Sequence, residues 1–176
     1  MRQFAAVLTL VLGSLAIAPA AQLGEAARER LVREVRKELV MLPFYNLFDN
    51  FGFAIADGGS TIILRGKVTR PTLKTDAERV VKRIEGVEKV VNEIEVLPLS
   101  PNDDRLRIAL YRAIYGHPSL NLYSMRAVPP IHILVQNGNV TLEGVVARAD
   151  EKNIAGIQAN SVPGVFAVTN NLVVEK

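Results

Sequence analysis

The 176-residue chain holds few side chains able to do covalent or metal chemistry. Its only histidines are His117 and His132, and it has neither cysteine nor tryptophan. His117 stands between Gly116 and Pro118, where a helix would stop. His132 alternates with Ile131 and Ile133, so on a strand it faces away from their side. Neither has a second ligand at the spacing that a metal site needs, which leaves both structural or solvated. Asp103-Asp104 is a carboxylate pair, yet it sits where a helix begins and negative charge meets the positive end of the dipole. Asn139-Val140-Thr141 has the form of a glycosylation sequon but lies within a tight hairpin. The glycines are isolated in strands and turns, and none opens a helix after a GxGxxG or phosphate-loop pattern. No catalytic, cofactor or metal residue is therefore assigned, and an enzyme is not expected.

Binding is a different matter. Residues 43 to 53 put five aromatics, Phe44, Tyr45, Phe48, Phe51 and Phe53, into eleven positions of a chain that is only 6% aromatic. Core packing accounts for Phe51 and Phe53. Phe44, Tyr45, Leu47 and Phe48 precede the strand, and they either plug an interface within the chain or stay exposed as a patch for lipid or protein. The stretch SLNLYSMRAVPP, 119 to 130, offers Leu120, Leu122, Tyr123 and Met125 with the same two readings, and Arg126 beside them suits a lipid phosphate. Arginines also crowd residues 28 to 36, but Glu25, Glu29, Glu34 and Glu38 interleave with them, which describes a solvated face better than a basic membrane patch.

Two copies of one small unit must position these residues. Sliding the chain by 78 residues aligns 61–96 with 139–174 without a gap, and eleven of the thirty-six positions are identical. Among the matched pairs are Gly66 with Gly144, Gly86 with Gly164, and Asn92 with Asn170. Upstream, an offset of 75 matches Leu31, Val35 and Leu39 with Leu106, Leu110 and Ile114. Each copy reads in the same order. A helix with apolar residues at helical spacing leads into an alternating strand, a polar turn and a second strand, and then a helix and a last strand follow. The turns are Asp57-Gly58-Gly59 and Asn137-Gly138, the latter a strong hairpin signal because both residues tolerate positive φ. The expected fold is α+β, two tandem αββαβ modules, each a small three-stranded mixed sheet with two helices on one face.

Within that frame Gly66 and Gly144 fall on the buried face of a strand, which asks either for close approach of a packed helix or for a bulge. Asn92 and Asn170 fall on the apolar side of the last strand, and a buried amide must be hydrogen-bonded, here to a neighbouring turn. Gly86 and Gly164 begin the Gly-Val turns into that strand. The boundaries are 24–98 and 101–176, joined through LPLSPND. Residues 1–21 have the layout of a cleavable signal peptide, with Arg2, an apolar run from Phe4 to Ile17, and Ala18-Pro19-Ala20. Export into the periplasm is the expectation. Removing the signal leaves twenty basic and eighteen acidic residues, a net charge of +2, so the pI near 9.3 implies no nucleic-acid partner.

The repeated pattern, NGNVTLEGVV with GVFAVTNNLVV and GGSTIILRGKV with GVEKVVNEIEV, resembles the BON domain of bacterial osmotically induced and nodulation-linked proteins. That resemblance covers nearly all of residues 24–176. It implies a non-enzymatic periplasmic or envelope protein that works without cofactors, acting at anionic phospholipid surfaces or on envelope proteins, in envelope maintenance or osmotic stress. A second reading keeps the fold and makes the pair a structural module of an envelope or secretion complex. The bulky aromatic connector departs from the polar loop usual in the family, so the family's binding surface need not sit in its usual place.

Overall fold

The computed structural model describes residues 24–175, and the signal-like segment lies outside them. The first module runs through helix α1 (Glu25–Val40), strands β1 (Asn50–Ala56) and β2 (Thr61–Val68), helix α2 (Pro71–Val81), and strands β3 (Lys89–Asn92) and β4 (Glu95–Val96). The second repeats it as α3 (Pro101–Tyr115), β5 (Ile131–Gln136), β6 (Asn139–Val146), α4 (Ala149–Asn160), β7 (Ala167–Asn170) and β8 (Val173–Val174). β1 and β5 run antiparallel to β2 and β6, while the later strands lie parallel to them. This is the α+β pair of modules that the repeat predicts. No helix among the described residues is long and apolar enough to cross a membrane.

The last strand of each module is broken in two, where the sequence reads as one run. Asn92 makes the break. Its side-chain oxygen accepts from the Ile94 N–H at 3.2 Å, and its amide nitrogen donates to the Lys74 carbonyl of α2 at 2.9 Å. Asn170 repeats this with the Leu172 N–H at 3.2 Å and the Lys152 carbonyl at 2.8 Å. The half-buried amide thus holds the backbone at the break and ties it to the neighbouring helix. Where Asn92 also reaches Glu78 at 3.1 Å, the equivalent residue in α4 is Gly156, whose missing Cβ would stand 2.9 Å from the Asn170 amide nitrogen. Gly156 lowers helix propensity, and the space it leaves seats Asn170.

Each module has its own core. Leu31, Val35 and Leu39 of α1 bury against Ile62 and Leu64 of β2 and Leu73 and Ala77 of α2. Leu106, Leu110 and Ile114 of α3 do the same against Ile133, Leu142 and Ala155. Asp103, which the sequence assigns to the helix dipole, is only 1% exposed. Its carboxylate accepts from the N–H groups of Asn137 and Gly138, both at 2.9 Å, so it clamps the hairpin turn to the start of α3.

Candidate functional site

The two modules meet through the aromatic connector. Residues 41–49 leave α1 and turn at Asn46, whose side chain accepts from the Phe48 N–H at 2.8 Å. Asp49 closes the turn; it is fully buried, and its carboxylate accepts from the Thr69 N–H at 2.6 Å and the Thr69 hydroxyl at 2.8 Å. A connector pinned at both ends presents fixed side chains. Leu47 and Phe48 pack against the core of the second module, and the Leu47 carbonyl accepts from the Ile133 N–H of β5 at 2.8 Å. Tyr45 stacks on Phe51 at 5.0 Å and on His132 at 5.7 Å between ring centroids. Polar contacts extend the junction, with Lys67 donating to Gln136 at 2.6 Å and Gln136 donating to Glu95 at 2.8 Å. That amide and Lys67 hold the exposed Glu95 carboxyl below the usual carboxylate range.

The structure therefore divides the candidate contact residues. Tyr45, Leu47 and Phe48 are half-buried between modules, whereas Phe44 is 67% exposed and lies under Arg70, 4.9 Å from its ring. In the second module a short 3-10 helix, Asn121–Met125, leaves Leu122 72% and Met125 83% exposed next to an exposed Arg126. Tyr123 is a structural post. Its hydroxyl donates to Glu151 at 2.7 Å and accepts from the Ala147 N–H at 2.9 Å, anchoring this segment to the start of α4. Leu120 is buried beneath it.

His132 and Leu134 point to the outward face of the second sheet yet are buried. Burial pushes the His132 imidazole below its ordinary range, against the smaller opposing pull of Asp49 and Asn46 on the connector. Its Nδ1 is buried and has no hydrogen-bond partner among the described residues. Burial thus favours the neutral imidazole in the folded chain. Stability from this site is full above the unfolded value of about 6.5 and falls as pH drops from there through the depressed folded value. Thermal melts at pH 7 and pH 5 should show the chain losing stability in acid, with His132→Leu flattening that dependence; equal slopes in both would refute the assignment.

Among the described residues no three metal-ligating side chains converge. The exposed part of the candidate surface, Leu122, Met125 and Arg126, is apolar and cationic.

The sequence model of the BON domain matches residues 54–98 and 119–176, which together make up more than half of the chain. The chain belongs to the BON domain family. In both BON modules the repeated glycines and the broken last strand lie within the matched residues, which hold the whole hairpin of the second module but only the end of β1 in the first, while α1 and α3 lie outside them. Membership suggests an envelope-associated protein and fits a non-catalytic one. No curated protein matches the chain. Solved structures similar to it include two of one protein. One is the C-terminal domain of CdsD, the structural protein of the type III secretion system of Chlamydia trachomatis, at 14% identity over 83% of this chain and 98% of that one, with a TM-score of 0.32. A second CdsD structure matches at 15% identity over 83% and 92%, with the same TM-score of 0.32.

Proposed function

We propose that this chain is a non-enzymatic periplasmic BON protein whose second module docks reversibly on anionic phospholipid. The observation that carries the reading is the 3-10 segment, where Leu122 and Met125 are 72% and 83% exposed beside Arg126. Large apolar side chains held in water on an anchored turn gain by entering the headgroup boundary, and a flanking guanidinium meets lipid phosphate. Two such side chains contribute roughly 3 kcal/mol and one cation about 1 kcal/mol, which corresponds to about millimolar affinity. Contact of that strength is peripheral and reversible. Phe44 beside Arg70 gives the first module the same pairing of exposed ring and cation. Export to the periplasm rests on the signal-like layout of residues 1–21, and a role in envelope maintenance or osmotic stress follows from where such a protein would work.

Co-sedimentation with millimolar phosphatidylglycerol vesicles at low salt tests the docking. Binding should exceed that to phosphatidylcholine, weaken with salt, and fall at least tenfold in Leu122→Asp/Met125→Asp. No binding to the anionic vesicles, or binding unchanged in that variant, would remove the proposal.

A further inference from the structure

A sheet edge left bare invites another strand, and three of the four edges here are blunted. On one side of each sheet the edge consists of two very short strands with a break between them. At β5 the chain closes the edge itself. The register with β6 turns the backbone groups of Ile131, Ile133 and Val135 outward. The Tyr115 hydroxyl donates to the Ile131 carbonyl at 2.6 Å and accepts from its N–H at 3.2 Å. Leu47 takes the Ile133 N–H, and Arg107 donates to the Val135 carbonyl at 2.7 Å.

β1 is the fourth edge. The Leu64 carbonyl is taken from the β3 side by the Glu93 N–H at 2.9 Å, so Leu64 and its β1 neighbour Phe53 are a non-bonded pair. The groups of Phe51, Phe53 and Ile55 therefore face outward. At Phe51 the Tyr45 hydroxyl stands beside the backbone. Among the described residues nothing bonds the outward groups of Phe53 or Ile55. The offset of 75 that relates α1 to α3 explains why, since it places Val32 where Arg107 stands and Val40 where Tyr115 stands. Valine has nothing to donate. α3 packs along β5, whereas α1 packs against α2 and stands off β1. Between them lies an open groove of about 580 Å³ walled by Val32, Val40, Phe53 and Ile55, with Arg28 and Arg36 on its rim. Among the described residues neither of these arginines is ion-paired, although Arg30 and Arg33 of the same helix are.

We propose that the free edge of β1 takes an extended segment of a partner protein by strand addition, an apolar segment that carries a carboxylate. A row of outward N–H and C=O groups at a two-residue period is matched by one backbone form, another strand. Alternate side chains of that strand enter the groove, and the rim arginines select for acid. Hydrocarbon from a lipid cannot satisfy such a row. A second copy pairing through the same edge would present NFGFAIA, whose nearest exposed carboxylate, Asp57, lies beyond the end of the strand and not among the side chains that enter the groove. The Leu47 carbonyl on β5 is a small instance of the same device, supplied from within the chain.

Selection of a random nine-residue peptide library on the whole chain tests this. Enriched peptides should alternate apolar residues, include aspartate or glutamate, and slow amide exchange at Phe53 and Ile55 by at least tenfold when bound. Val32→Arg/Val40→Tyr, which installs the closing groups of the second module, should weaken them at least tenfold, and so should Arg28→Glu/Arg36→Glu while both variants melt cooperatively. No enrichment over the Val32→Arg/Val40→Tyr variant, or enriched peptides that leave Phe53 and Ile55 exchange unchanged, overturns the proposal. So does light scattering that shows a dimer abolished by that variant, because the occupant is then a second copy.

Discussion

Replacing Gly144 by alanine should strongly destabilise the chain through its second module. Gly144 has φ of +123°, and a Cβ there would stand 1.8 Å from the Pro130 carbonyl oxygen. Such a dihedral costs a non-glycine residue about 1–3 kcal/mol, and relieving the overlap requires β5 to move off β6. Together the loss should reach about 4 kcal/mol or more, a large share of the 5–15 kcal/mol typical of a whole protein. Gly66 is the mirror case, at φ +123° and 2.0 Å from the Asn50 carbonyl oxygen, so Gly66→Ala should destabilise the chain comparably through its first module. Gly52 is the control, because nothing lies within 4 Å of its added Cβ; Gly52→Ala should change stability by no more than about 0.5 kcal/mol. Urea titrations followed by circular dichroism report all three. A Gly144→Ala chain within about 1 kcal/mol of the parent would show that the strands can part cheaply.

Leu134→Lys should uncouple the modules. Leu134 lies on the outward face of β5 but is only 5% exposed, because the first module covers that face through Tyr45, Lys67 and the connector. A lysine there either loses hydration or forces the modules apart, at roughly 3–5 kcal/mol. Since each module keeps its own core, the expected signature is one unfolding transition splitting into two, with helix and sheet content retained before the first. Val145→Lys, on the same face but 47% exposed, should be nearly silent, within about 0.5 kcal/mol. A single cooperative transition in Leu134→Lys at unchanged midpoint would mean that the contact contributes little to stability.

The aromatic connector shows why site reading from the sequence stops where it does. Its composition singles out Phe44, Tyr45, Leu47 and Phe48 as a group, yet the chain parts them, with Phe44 in solvent and the others against the second module. Nothing local distinguishes them, because all four are large and apolar and the choice depends on a surface far away in sequence. Tyr123 and Arg126 are likewise close neighbours with different uses, the first tied to Glu151 and the second exposed. Val32 and Val40 read as ordinary helix residues until α3 shows what stands in their places.

Periodicity and repetition are local, and they sufficed for the modules, the hairpins and the family, since side-chain period and turn dihedrals are set by residues near in sequence. The glycine late in β2 and in β6 was legible as a position of close approach, though what approaches is a carbonyl at the start of the neighbouring strand and not a helix. Tertiary structure alone decided which sheet face the other module covers, that Asp103 holds a turn 34 residues away, and that β5 is closed where β1 is open. Those outcomes depend on groups brought together across long loops, and a hydrogen bond or a burial that forms only on folding leaves no period in the sequence.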